Sequence, residues 1–347
     1  MAQGNLEYSD VAGVAMEKEN PDVVLDINNL SVAFQKRDRQ IKALHNINLK
    51  INRREIVGLV GESGCGKSLT SLSVMRLLPE GAGIIGGDIK IDGISIPAIS
   101  EEAMRKIRGG SISMIFQEPM TSLNPLIQIG RQIEESLLLH RKLSSRPEIH
   151  GRIIDLLNSV GISDPEIRYR QFPFEFSGGM RQRVMIALAL ACNPKVIIAD
   201  EPTTALDVTI QAQILNLLKQ IRDDYHTAIL LITHNMGVIA DVADRVAVMY
   251  AGRIVEIASV DDLFLEPLHP YTVGLLKSIP DLAGDRTREL QMIPGSVPDL
   301  NNLPPGCAFH TRCPYAADIC RSKSPVLAGG ARNHDVACWN PMSRREC

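Results

Sequence analysis

The sequence predicts an α/β domain around a largely parallel sheet, interrupted by a helical insert and followed by a small proline- and cysteine-rich extension. Three observations predict it. Short β-branched runs alternate with helical patterns from about Val23 to Glu256, as in strands joined by crossover helices. Between Leu126 and Gln171 the strands stop. Beyond Glu256, Pro267, Pro270, Pro280, Pro294, Pro298, Pro304 and Pro305 punctuate the chain too often for a long helix or a central strand.

In chain order, residues 1–21 carry Glu7, Asp10, Glu17 and Glu19 without a basic cluster and are expected to form a flexible leader rather than a secretory signal. Strands are expected at Glu55–Gly61, Ser111–Phe116, Lys195–Asp200, Ala228–Thr233 and Arg245–Met249. Helices are expected at Arg131–Leu143 and Pro147–Val160, within a helical subdomain spanning about 120–190. The main domain is expected over 22–262, with a boundary near Asp262, and the extension over 263–347. Hydrophobic residues make up 45% and charged residues 22% of the 347, the composition of a soluble globular protein. A net charge of −3 and 4% aromatics speak against nucleic acid as the main partner. No apolar run approaches the ~18 residues a membrane helix needs, so a cytosolic protein is expected.

Residues 61–68 read Gly-Glu-Ser-Gly-Cys-Gly-Lys-Ser, a full match to a phosphate loop between an apolar strand and a helix. Gly61, Glu62, Ser63, Gly64, Cys65, Gly66, Lys67 and Ser68 are therefore the expected ATP-binding set. Glycines let the backbone curl so that amide N–H groups face phosphate oxygens. Lys67 is expected on the β and γ phosphates, and Ser68 on Mg²⁺. Cys65 needs no role beyond fitting the turn. The apolar strand ending in Asp200 and Glu201 supplies the second element: Asp200 for Mg²⁺ and Glu201 as general base for the attacking water.

Phe176-Ser-Gly-Gly-Met180, followed by Arg181-Gln-Arg183, resembles the signature of ABC transporter ATPases. The resemblance implies an ABC nucleotide-binding domain, with a RecA-like parallel-sheet core, an antiparallel β subdomain and an inserted helical subdomain. It implies that Ser177, Gly178, Gly179 and Met180 clamp the γ phosphate of ATP held by a second subunit. Gln117 matches the glutamine that senses Mg²⁺, Ala205-Leu206-Asp207 the loop that signals across the dimer, and His234 the switch histidine on the γ phosphate. Phe34 sits where the family stacks an aromatic on adenine, although a phenylalanine in an early strand is often core.

His269-Pro-Tyr-Thr, Leu275-Leu276, Ile293-Pro-Gly and Pro305-Gly-Cys-Ala-Phe resemble the C-terminal extension of oligopeptide/dipeptide importer ATPases, a group that includes nickel importers. The resemblance implies a "D"-type subunit paired with an "F"-type ATPase and two membrane permease subunits. A periplasmic or extracellular binding protein would deliver cargo at the far side of the inner membrane. Phe174 and Asn235 depart from the commoner histidine and aspartate without replacing a group that does chemistry. Nickel or another small solute is the alternative cargo, and a soluble non-transport ABC ATPase or a non-hydrolysing scaffold is the rival class.

Cys307, Cys313, Cys320 and Cys338 are separated by five, six and seventeen residues, without the close knuckles typical of zinc. Spacing leaves a 4Fe–4S cluster, zinc and free thiols open. Resemblance to importer ATPases carrying this cysteine set favours the cluster, as a structural staple rather than a redox sensor. Cys347 reads as a free thiol, and His310 and His334 as surface residues or alternative ligands.

Overall fold

The computed structural model describes residues 22–36, 39–118, 122–141, 145–204, 206–279, 292–330 and 333–342. The leader, Met120 and Thr121, Ala205 and Cys347 lie outside the described residues.

The first half begins with strands β1 (Val23–Lys36) and β2 (Arg39–Asn52), then β3 (Ile56–Val60) and helix α1 (Lys67–Val74). It continues through β4 (Ala82–Ile91), β5 (Ile94–Ser95), α2 (Glu101–Ile107) and β6 (Ile112–Ile115). The helical region follows as α3 (Ile129–His140), α4 (Arg146–Ser159), α5 (Pro165–Arg168) and α6 (Gly178–Leu190). The chain then returns to the sheet with β7 (Val196–Asp200), α7 (Val208–Tyr225), β8 (Ala228–Thr233), α8 (Met236–Val242), β9 (Arg245–Tyr250) and β10 (Arg253–Ser259). Short elements complete it: α9 (Val260–Leu265), α10 (Pro270–Lys277), α11 (Asp318–Ser322), β11 (Ala328–Gly329) and β12 (Asp335–Val336).

The strands form two sheets. Four antiparallel strands run in the order β2-β1-β4-β5, and eight in the order β11-β12-β10-β9-β3-β8-β7-β6. Within the larger sheet, β9, β3, β8, β7 and β6 are parallel. Their apolar runs are continuous because both faces are covered. Ile56 and Val60 of β3 face the helical-subdomain core, whereas Val57 and Leu59 face the core shared with the small antiparallel sheet. The same alternation sorts Ile197 and Ala199 from Val196 and Ile198 in β7, as a period of two requires.

The expected strands appear within a residue or two. The expected helix Arg131–Leu143 is observed as Ile129–His140, and Pro147–Val160 as Arg146–Ser159. The second is set by Ser145, whose side chain accepts from the Glu148 N–H, with proline in the first turn.

The extension folds back on the core rather than trailing from it. Strand β12 pairs with β10 (Glu256 opposite Val336), so the hairpin β11–β12 prolongs the large sheet. Phe309 packs against Tyr250 and Tyr271 at centroid distances of 5.2 and 5.4 Å. Beneath this seam the carboxylate of Glu256, fully buried, accepts from the Leu268 and His269 N–H groups at 2.7 and 3.0 Å. It also meets His334 Nε2 at 2.7 Å. His334 is therefore a buried partner of a carboxylate, neither the surface residue nor the metal ligand that its sequence position suggested.

Candidate functional site

Adjacent parallel strands β3, β8, β7 and β6 all end at the same edge of the sheet, where ligands bind in open α/β folds. That edge collects the phosphate loop after β3, His234 after β8, Asp200 and Glu201 at the end of β7, and Gln117 after β6. Residues scattered over more than 170 positions of sequence are thereby brought together.

The loop is shaped by its glycines. Gly66 caps α1 with φ +110°, and a Cβ there would lie 2.7 Å from Leu44 Cδ2, so only glycine fits. Lys67 follows, 6% exposed, with Nζ donating to the carbonyls of Gly61 (2.8 Å) and Glu62 (3.1 Å). Cys65 is buried, with its sulfur 3.8 Å from Lys67 Nζ. Burial pushes the Cys65 thiol up, so it stays protonated and unreactive.

Ser68 Oγ lies 3.4 Å from Asp200 Oδ1. Burial, with the neighbouring Glu201 charge, pushes the Asp200 carboxyl above the usual range against the opposing pull of Ser68 and Lys67. A carboxylate so placed gains from a nearby cation. Ser68 and Asp200 thus suit a hard oxygen-liganded ion such as Mg²⁺.

Glu201 occupies a left-handed backbone position, φ +47°, uncommon for a non-glycine residue and frequent at functional sites. Its carboxylate meets three partners: His234 Nδ1 at 3.0 Å, Thr204 Oγ1 at 2.9 Å and Gln117 Nε2 at 3.0 Å. Burial works to raise its pKa, but the His234 and Thr204 hydrogen bonds and the His234 and Lys67 charges outweigh it and hold the carboxyl below its ordinary value. Glu201 is therefore ionised, oriented and only partly shielded from solvent, the condition of a group that polarises water. Sequence reasoning missed Thr204, whose signal was its place three residues after Glu201.

Ser177 caps α6, its side chain accepting from the Met180 N–H at 3.3 Å. Ser177 and Gly178 are exposed, and Gly179 and Met180 partly so. Gly179 lies so close to Ile210 of α7 that an added Cβ would sit 2.8 Å from Ile210 Cγ2. The first turn of this helix thus begins at the surface, and a helix start is where backbone N–H groups can meet an anion. Phe34 is half-buried on β1, opposite Ile41 and Ala82.

Cys307, Cys313, Cys320 and Cys338 line one small cavity together with Phe309, His310 and Trp339. The Cys307 N–H donates to the Cys320 carbonyl at 2.8 Å. Burial first, and then the neighbouring sulfurs, push the thiols of Cys307, Cys313 and Cys338 up, that of Cys338 to about 11. Among the described residues, no three His, Cys, Asp or Glu side chains converge tightly enough to hold a single metal ion. The expected cysteine set is thus gathered around one space, but not with the close convergence of a zinc site.

A parallel sheet with a phosphate loop, an acid-ended neighbouring strand and an exposed Ser-Gly-Gly helix start defines an ABC-type ATPase. The family described as "ABC transporter" matches residues 44–204, and "Oligopeptide/dipeptide transporter, C-terminal region" matches residues 255–320. The probable peptide ABC transporter ATP-binding protein y4tR of Sinorhizobium fredii is 50% identical over 325 residues, 93% of this chain and 97% of that protein. The oligopeptide transport ATP-binding protein AppD of Bacillus subtilis is 51% identical over 317 residues, 91% of this chain and 96% of that protein. A dimeric structure of MJ0796, a bacterial ABC transporter cassette, superposes with a TM-score of 0.61 at 29% identity, covering 68% of this chain and 98% of that one. A second MJ0796 structure, a post-hydrolysis state bound to ADP and Pi, gives 0.60. The chain belongs to the ABC transporter ATP-binding subunits that carry the oligopeptide/dipeptide transporter C-terminal region.

Proposed function

We propose that this chain is the ATP-hydrolysing motor subunit of an ABC importer for di- or oligopeptides. The observation that carries the proposal is the single sheet edge that holds Gly61–Ser68, Asp200, Glu201, Gln117 and His234 in a chain matching both family regions. Loop N–H groups and Lys67 would hold the β and γ phosphates, with Phe34 against the adenine. Ser68, Asp200 and Gln117 would hold Mg²⁺, which when bound neutralises phosphate charge. Glu201, held by Thr204 and His234, would orient the attacking water, and His234 would face the γ phosphate.

The exposed Ser177–Met180 start would complete the ATP site of an "F"-type partner, whose own signature would close over this loop. An open cleft beside Gln117, lined by Met114, Phe116, Leu139 and Met185, would receive a permease subunit. It carries apolar side chains at the surface, with Phe116 40% and Leu139 72% exposed. Among the described residues no helix is long and apolar enough to cross a membrane, so attachment to the inner face of the cell membrane would run through such partners. The cargo follows from the relatives' names: peptides, with nothing favouring nickel.

The four gathered cysteines would hold a 4Fe–4S cluster, which takes four cysteine thiolates as its ligands. When bound, the cluster would cross-link a segment with little core of its own. Proteoliposomes holding this chain, its partner ATPase and the permeases test the assignment. ATP-dependent uptake of a labelled peptide is expected, and uptake of nickel but not peptide would contradict it.

A further inference from the structure

The phosphate loop is gripped from outside the ATPase core, by a side chain of the extension. Arg312 donates to both carboxylate oxygens of Glu62, at 2.7 and 3.0 Å. The Arg312 side chain is 4% exposed and that of Glu62 30%, so this is a largely buried, two-pronged ion pair, the strong kind. The guanidinium has little freedom of its own. Its Nε donates to the Pro294 carbonyl at 2.9 Å and Nη2 to that of Ile293 at 3.3 Å. Nη1 also reaches Tyr250 Oη at 3.4 Å, and Cζ lies 5.8 Å from the centre of that ring. Anchored on the turn at 293–295, the arginine is aimed at one residue of the loop.

Glu62 is held by its main chain as well. Its N–H donates to the Tyr271 hydroxyl at 2.9 Å, and its carbonyl accepts from Lys67 Nζ at 3.1 Å. Two side chains from beyond β10 thus fix the carboxylate and the amide of the residue whose carbonyl meets the phosphate-seeking lysine. The side chain of a variable loop position has no need of such anchoring unless the curl of the loop depends on it.

We infer that Arg312 is a positioning residue for the ATP site: through Glu62 it holds the loop curled with its N–H groups ready for phosphate. The inference rests on the reading of Gly61–Ser68 as the ATP site. Pre-ordering a loop lowers the ordering cost of binding, so loss of Arg312 weakens ATP affinity while the chemistry at Glu201, on another strand, is spared.

The test measures equilibrium ATP binding and steady-state kinetics of the full chain with its partner subunit. Arg312→Ala is expected to raise the Kd and KM for ATP by about tenfold, with kcat changed less than about twofold, a split that simple loss of folded protein does not produce. Arg312→Lys, which keeps charge but loses the two-pronged geometry, is expected to fall between and serves if the alanine variant does not fold. Wild-type affinity in both arginine variants, beside the loss expected in Lys67→Ala, overturns the role of Arg312 alone. Unchanged affinity in Lys67→Ala as well overturns the reading of the loop with it.

Discussion

At the scale of single residues, the site depends on where charge is stabilised. Glu201 is kept ionised by donors, whereas Asp200 beside it is pushed toward its neutral form by burial, and this divergence suits the two carboxyls to the different roles proposed for them, orienting water and meeting a cation. A buried histidine away from the site makes the fold sensitive to acid. His269, 1% exposed, accepts the Tyr271 N–H on Nδ1 at 3.0 Å, and burial lowers its pKa from 6.5 to about 4, against the raising charge of Glu256. The folded protein thus binds fewer protons here than the unfolded chain. The stabilisation is complete above pH 6.5 and is lost as pH falls toward about 4. Loss of up to about 3 kcal/mol is expected from this residue. Thermal unfolding followed from pH 7.5 to 4.5 should show a decline that His269→Gln makes shallower; equal slopes in the two proteins would contradict the assignment. At this scale Asp200 and Glu201 were legible as acids ending an apolar run, whereas Gln117 and His234 were legible only through the family resemblance; the parallel sheet brings all four positions to one edge. Arg312 was not legible, because 250 residues separate it from Glu62, and only the folding back of the extension joins them.

At the scale of elements, the seam between β10 and the extension is the feature that the pattern of residues concealed. A two-residue strand, Asp335–Val336, is too short to stand out by alternation, and the dense prolines suggested a segment apart from the core. Glu256 holds this seam by accepting two backbone N–H groups and pairing with His334. Glu256→Ala leaves those donors and His334 buried without their acceptor, and a loss of about 3–5 kcal/mol is expected, read as a lowered midpoint in urea. A change under about 1 kcal/mol would mean that the seam is held elsewhere. The cysteine-lined cavity belongs to the same element. Anaerobically purified protein is expected to be coloured, with about four irons per chain, and a colourless protein with stoichiometric zinc would refute the cluster.

At the scale of the whole molecule, the loop and the signature helix lie on one chain, with the signature's helix start at the surface. In the proposed assembly each ATP is bound between two subunits, and a closed, hydrolysing state needs a partner. The helical subdomain, whose α3 and α4 were readable from the sequence to within three residues at their ends, lines together with β6 the cleft proposed to receive a membrane subunit. What the sequence could not disclose at this scale is how the extension shares a sheet with the motor and contacts its phosphate loop. The central claim is hydrolysis of ATP by water oriented at Glu201. It is tested most directly by Glu201→Gln, with ATP binding and turnover measured on the assembled transporter, the partner's site being silenced by the same change. ATP affinity within about threefold of the parent, with turnover reduced by ~100-fold or more, is the predicted result. An unchanged turnover would remove Glu201 from catalysis and contradict the account.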